Sequence, residues 1–259
     1  MIIKCPSGLS FEARTWKIGD RKHLHDQQVL RQGLLMRKML EAVDQGVTEP
    51  GPYALEAGQK VNWANAALVD VLDALLDIRV ETKPLLDYNE NCESCRAIIP
   101  LTIDLRELSR TPMSEEAKAH LASNEPISKM LAAEEGGEEA VEVKMRLLRG
   151  KDMSKISQHY KQDPTGIAEV QMCLHIASIT PLGCAEIEGL AKVREFYQDQ
   201  SWYFHTALDD VVASFSGGVN TTVKSYCNQC HAEQESVIPF GAEFFYPRKK
   251  HSISSMATL

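Results

Sequence analysis

Two cysteine pairs set the tightest constraint on how this chain folds: Cys92-Glu93-Ser94-Cys95 and Cys227-Asn228-Gln229-Cys230. A Cys-x-x-Cys turn brings two thiolates to one metal ion and aims backbone amides at the sulfurs, yet one pair fills only half of a tetrahedral site. Two pairs complete it. Cys95 and Cys227 are 132 residues apart, whereas zinc ribbons space their pairs by roughly 15–20 residues. A shared site therefore demands that distant segments meet. The expected ligand set is Cys92, Cys95, Cys227 and Cys230 around a structural zinc ion, which contributes on the order of 10 kcal/mol to folding. Metal-free knuckles are the next reading. A dithiol oxidoreductase is third, because a redox pair needs a strand before it and a helix N-terminus after it, and here both pairs precede strand-like runs. The residue after each second cysteine is Arg96 or His231, where glycine often relieves the turn of a zinc knuckle.

The signals around the two pairs repeat in order. Near the start, Pro6-Ser7-Gly8 is a turn signal, and Leu9, Phe11 and Ala13 alternate with polar neighbours as a hairpin does. Gly19-Asp20 then opens a helix expected to run to Val43 and to break at Gly46, and Asn62 is the expected cap of a second helix through Val80. The first cysteine pair and the β-like run Ala97 to Leu105 follow. In the second half, Val141 to Leu148 alternates like a strand and Arg149-Gly150-Lys151-Asp152 opens a helix. Helical patterns cover roughly 165–178, 184–198 and 201–215, then come the second cysteine pair and a strand-like run to Phe240. Gly19 lies 73 residues before Cys92, and Gly150 lies 77 before Cys227. The order and spacing predict an α+β fold of two pseudo-equivalent halves, each built of strands, helices, a knuckle and a strand. The halves are expected at 1–110 and 141–247, joined by an acidic, partly helical linker at 111–140 that holds Glu115, Glu116, Glu125, Glu134, Glu135, Glu138 and Glu139. Residues 248–259 form the tail.

Composition narrows the function. At 259 residues the chain buries a core without disulfides, and an odd count of seven cysteines fits a disulfide framework poorly. The N-terminus lacks the pattern of an export signal, and no apolar run approaches a membrane span, so the expected compartment is the cytoplasm, without membrane contact. A net charge of -8 argues against nucleic acid as the main partner. There is no phosphate-binding glycine loop, no Gly-x-Ser-x-Gly elbow and no His-Glu-x-x-His, so the expectation is a protein without catalytic residues. His23 and His25 do not share a helical face, His175 and His205 read as packed rings, and Asp209-Asp210 reads as a solvated face. Cys5, Cys173 and Cys184 read as small core residues. Near the end, Phe240, Phe244, Phe245 and Tyr246 crowd into one short run. They are either core or an anchor for a partner, and are taken here as the candidate partner-binding residues.

These features together resemble the baseplate hub assembly proteins of T-even-type contractile phages. The likeness is carried by Pro6-Ser7-Gly8-Leu9, Gly19-Asp20, the knuckle leading into Ile103-Asp104-Leu105-Arg106-Glu107-Leu108, and Gly150-Lys151-Asp152. It is closest from Gly218-Val219-Asn220-Thr221-Thr222 through the second knuckle to Pro239-Phe240-Gly241-Ala242-Glu243-Phe244-Phe245-Tyr246-Pro247. The family's usual knuckle is Cys-Pro-x-Cys-Gly, so this chain keeps the ligands and departs at the turn residues. The resemblance implies a part, or an assembly factor, of a tail baseplate or hub, in a phage or a phage-tail-like particle. Its partners would be hub, baseplate and tail-tube proteins within an oligomeric assembly. Its location would be the host cytoplasm during assembly and the virion baseplate if incorporated. The competing reading is a zinc-knuckle regulator that binds nucleic acid, which requires a basic face and stacking aromatics around the knuckles.

Overall fold

The computed structural model describes residues 1–135, 140–162, 166–238 and 242–245. The expected hairpin is present: β1 (Ile2–Lys4) pairs antiparallel with β2 (Ser10–Ala13), and Ile3, Phe11 and Ala13 are buried. The single helix expected after Asp20 is instead a 3-10 turn (Ile18–Arg21) followed by α1 (Lys22–His25), α2 (Gln27–Arg31) and α3 (Leu35–Glu41). Asp26 explains the first break, since its carboxylate accepts from the Gln28 and Val29 amides and so caps a new helix. Gly46, expected as a breaker, lies within β3 (Asp44–Glu49). There its φ is +137° and a Cβ would stand 2.8 Å from the Gly58 carbonyl oxygen, so glycine admits a neighbouring backbone.

The second helix, α4 (Leu68–Thr82), begins after Asn62, which leaves Asn62 in the preceding loop. The chain continues through β4 (Leu85–Asn91) and β5 (Ile98–Asp104) to β6 (Arg110–Thr111), α5 (Glu115–Ser123) and β7 (Ile127–Ala132). The last three occupy the expected acidic linker and make it part of the core. Ser114 caps α5 through its hydroxyl, and Ala117, Leu121, Ile127 and Leu131 are buried, while Glu115 and Glu116 stand in the first turn, where the helix dipole favours them. Gly136 to Glu139 lie outside the described residues. Next come β8 (Ala140–Met145), α6 (Asp152–Gln162), α7 (Ile167–His175), β9 (Ile176–Pro181), β10 (Ile187–Glu188), α8 (Leu190–Gln198) and α9 (Trp202–Ser216). The helix expected over 165–178 therefore yields to a strand at Ile176, and the one expected from 184 starts at Leu190. β11 (Gly218–Val219), β12 (Thr222–Tyr226), β13 (Glu233–Val237) and α10 (Ala242–Phe245) complete the order.

The result is a mixed α/β fold of several small sheets, in the orders β1-β2-β3, β10-β9-β8-β7, β11-β6, β12-β13 and β4-β5, antiparallel throughout. It divides into two compact units. One is Met1–Ile78 with Ser109–Asn220; the other is Arg79–Leu108 with Thr221–Leu259. The units cut across the expected halves, since each half contributes one segment to the unit that carries the knuckles. In the larger unit the main apolar cluster joins Val141, Val143 and Met145 of β8 to Phe204, Leu208 and Phe215 of α9, with Phe11 and Trp63 meeting edge-on 5.0 Å apart elsewhere.

Two turns of this unit share one construction. Arg14 grips Asp20 with both guanidinium nitrogens (2.8 and 2.9 Å), and the Lys17 amide donates to the same carboxylate. Arg146 grips Asp152 in the same way (2.8 and 3.1 Å), and the Arg149 amide donates to it. Each turn follows a central strand, β2 or β8, and each is followed by helices and then by an antiparallel partner strand, β3 or β9. The Arg14 amide donates to Val43 and the Arg146 amide to His175, at the return of the chain in both cases.

Candidate metal centre

The smaller unit is built from two hairpins, and each knuckle is the turn of one. β4 and β5 pair from Leu85 with Asp104 to Asn91 with Ile98, leaving Cys92 to Ala97 as the connection. β12 and β13 pair from Thr222 with Val237 to Tyr226 with Glu233, leaving Cys227 to Ala232. The two turns match bond for bond. Cys92 N donates to Ala97 O at 2.8 Å and Arg96 N to Cys92 O at 2.9 Å; Cys227 N donates to Ala232 O and His231 N to Cys227 O, both at 2.9 Å. Arg96 has φ of 63° and His231 has φ of 58°, so both occupy the left-handed conformation that glycine takes most readily. The missing glycines noted in the sequence thus sit where the turn does need them, and the turn forms without them.

The four sulfurs converge. All lie within 4.8 Å of one another, with Cys92 and Cys230 at 3.6 Å and Cys95 and Cys227 at 3.6 Å. That is far too long for a disulfide of about 2.05 Å. It is close to the sulfur–sulfur edge of about 3.8 Å that follows from tetrahedral Zn–S bonds of about 2.3 Å. Cys92 and Cys227 are buried and Cys95 and Cys230 exposed, so each knuckle gives one inner and one outer ligand. The donor set, four thiols and no oxygen, fits a soft or borderline cation and excludes a calcium or magnesium cage.

Electrostatics favour a cation at this point. Amide donors from Cys230 and Gln229 draw Cys227 down to about 6. The Ala232 amide acts in the same direction on Cys230, but the neighbouring sulfurs outweigh it and hold that thiol up at about 12; Cys95 is also raised, against the pull of the Ala97 amide and Cys230. Four thiols this close cannot all ionise against each other, and a divalent ion removes that conflict by replacing the protons.

No hydrogen-bonded ladder joins the two hairpins. Among the described residues, side-chain bonds connect them: Gln234 accepts from the Glu93 amide at 3.0 Å and donates to Asn91 O at 3.4 Å, and Ser236 meets Glu90. The apolar contribution around the sulfurs is small, with Ile99 buried and Ala97, Leu101 and Ala232 packed beside it. Gln234 was not singled out in the sequence. The only available signal was a polar residue at an inward position of an alternating strand, between the exposed Glu233 and Glu235.

The other candidates fall elsewhere. Phe244 and Phe245 are buried and meet edge-on, 5.3 Å apart, with the buried Arg79 guanidinium 6.0 Å from the Phe244 ring. Burial corrects their assignment as a partner-binding surface, because aromatic anchors for a partner must be exposed before binding. Phe240 and Tyr246 lie outside the described residues. Cys5 and Cys173 are buried as expected, whereas Cys184 is exposed. His175 is half-buried and meets Phe215 edge-on, desolvation lowering its pKa to about 4, and His205 stacks on Tyr197. Asp209 and Asp210 are exposed. No described helix is long and apolar enough to cross a membrane.

Compared with known proteins, the chain matches no family model, no curated protein and no solved structure.

Proposed function

We propose that this protein is a non-catalytic assembly component whose smaller unit is held together by one structural zinc ion. The observation that carries the reading is the convergence of four thiols from two hairpins that share no backbone ladder. Zinc suits four thiolates that leave no open coordination position, which is the arrangement of a structural centre. Cys92 and Cys95 would hold it from one hairpin, Cys227 and Cys230 from the other. The ion's part is to offset four negative charges; the chain's part is to deliver the sulfurs, to donate amides to them, and to cross-brace the knuckles through Gln234.

The repeated construction supports descent from one duplicated unit. The two Arg-to-Asp turns, the helices that return to an antiparallel strand, and the two matched knuckle turns stand in the same order in both halves. Duplication also explains why the ligands come in two equivalent pairs so far apart in sequence.

The role itself we take from the likeness to baseplate hub assembly proteins: a component or assembly factor of a contractile tail, acting through protein contacts. An exposed knuckle lined by Glu93, Glu233 and Glu235 disfavours nucleic acid as the partner. Affinity capture from cells producing such particles should recover hub, baseplate or tail-tube proteins with the wild-type chain. Recovery of nucleic acid alone would contradict the reading.

A further inference from the structure

The turn from Arg149 to Asp152 does more than begin a helix. Its helix-opening work is done without the Lys151 side chain: Asp152 is held by Arg146 and by the Arg149 amide. The corresponding turn in the first half has Gly19 where Lys151 stands. In the second half the backbone is fixed against the loop before α4, with Leu68 N donating to Leu148 O, Gly150 N to Ala66 O and Lys151 N to Ala64 O at 2.7–2.9 Å. Gly150 allows this approach, since a Cβ there would stand 1.9 Å from the Trp63 carbonyl oxygen.

Docked this way, the turn presents both cations to a cavity of about 540 Å³ whose polar lining also includes Gln59, Asn62, Asn65 and Asn124. A second cavity of about 230 Å³ shares Asn124, Arg149 and Lys151, so the two meet across the same side chains. Arg149 is oriented by the Asn65 carbonyl (2.6 Å) and the Asn124 side-chain oxygen (2.7 Å). Lys151 is exposed and has no ion-pair partner among the described residues. The chain holds 36 acidic residues, yet no carboxylate lines either cavity among the described residues. An acidic protein that gathers two cations in one recess, with the nearby Asp152 carboxylate already taken by Arg146 and the Arg149 amide, has a recess suited to negative charge.

We propose that these joined cavities bind an acidic peptide segment of a partner protein. Carboxylates would engage Arg149 and Lys151, while the side-chain amides, which both donate and accept, would pair with the extended backbone. Among the described residues lining the larger cavity Tyr53 alone offers an aromatic ring, too little for successive stacked bases, so two cations here favour a peptide over single-stranded nucleic acid. The site is remote in sequence from the cysteines. It adds a partner chemistry to the assembly reading and rests on it only for the partner's being a protein.

A capped, fluorescent decapeptide alternating Glu and Ser, titrated into the full-length zinc-loaded protein, tests the proposal. It should bind at low salt, weaken as salt rises, and lose about tenfold in affinity to Lys151→Glu, a substitution at an exposed side chain with no ion-pair partner among the described residues. Arg149→Met should weaken it as well, with circular dichroism confirming that the variants are folded. No binding, equal binding of the peptide with Gln in place of Glu, unchanged affinity in Lys151→Glu, or stronger binding of a single-stranded oligonucleotide or of inorganic phosphate would each overturn it. Failure here while tail proteins are still captured removes the groove alone; failure of capture with peptide binding intact removes the tail assignment and keeps the groove.

Discussion

The residues that follow the knuckles carry the local cost of the site. Arg96 and His231 hold a left-handed conformation that costs a residue with a Cβ about 1–2 kcal/mol relative to glycine. Arg96→Gly and His231→Gly should therefore each stabilise the metal-loaded protein by about 1 kcal/mol in chemical denaturation. A loss of stability in both would show that these side chains have duties the turn conceals. A second residue acts in the larger unit. Asp73 is buried on α4, 3.2 Å from Arg110, and burial pushes its carboxyl up to about 7, with Asp77 and Asp70 adding to the effect. An acid raised in the folded state keeps its proton where the unfolded chain has lost it, so its contribution is full below about pH 4 and is lost as pH rises towards about 7. Unfolding curves of wild type and Asp73→Asn, measured from about pH 4.5 to about 7.5, should diverge, with the variant relatively more stable at the higher pH. Parallel curves would contradict the assignment.

At the scale of elements, the paired Arg-to-Asp turns are the clearest common device. Burial alone would raise Asp152, but Arg146 and the Arg149 amide hold it below the ordinary carboxylate range, and Arg14 does the same for Asp20. The Asp152 side chain is the more enclosed, at 2% exposure against 11% for Asp20. Asp152→Ala should cost about 3 kcal/mol and Asp20→Ala less, as read by thermal or denaturant unfolding. A reversed order would mean that the two turns bear load differently from their geometry. Elements differed in how clearly the sequence announced them. The first hairpin, α4, α9 and the strand after each knuckle follow alternation or helical spacing, whereas β4, polar from Asp87 to Asn91, carried no strand signal. β7 and α5 were hidden because seven glutamates dominate the expected linker, although Ile127 and Leu131 alternate inward within it. β9 was hidden by apolar continuity with α7: Ile176 to Ile179 extends the helical run, and only packing against β8 turns it into a strand. The break at Asp26 was hidden by a capping side chain inside an otherwise helical pattern.

For the whole molecule, the four ligands were legible as residues but the architecture that joins them was only partly so. The repeated order of signals pointed to two halves meeting at the knuckles. The compact units instead collect both knuckles into one body and both strand–turn–helix segments into another. Sequence periodicity reports local elements, whereas the partition depends on which hairpins find each other, a contact more than a hundred residues apart that no local pattern encodes. The aromatic run near the end was ambiguous for a related reason, since composition does not distinguish a core from an anchor, and burial assigns Phe244 and Phe245 to the core. The account stands on the smaller unit's being closed by a single ion. Metal analysis with sulfur-sensitive X-ray absorption at the zinc edge, on protein purified under reducing conditions without chelator, tests it directly. One zinc per chain with four sulfur neighbours at about 2.3 Å is expected, lost to a similar degree in Cys92→Ser and in Cys227→Ser. No bound metal in the wild-type protein, or a loss confined to one of the two variants, would contradict the shared centre.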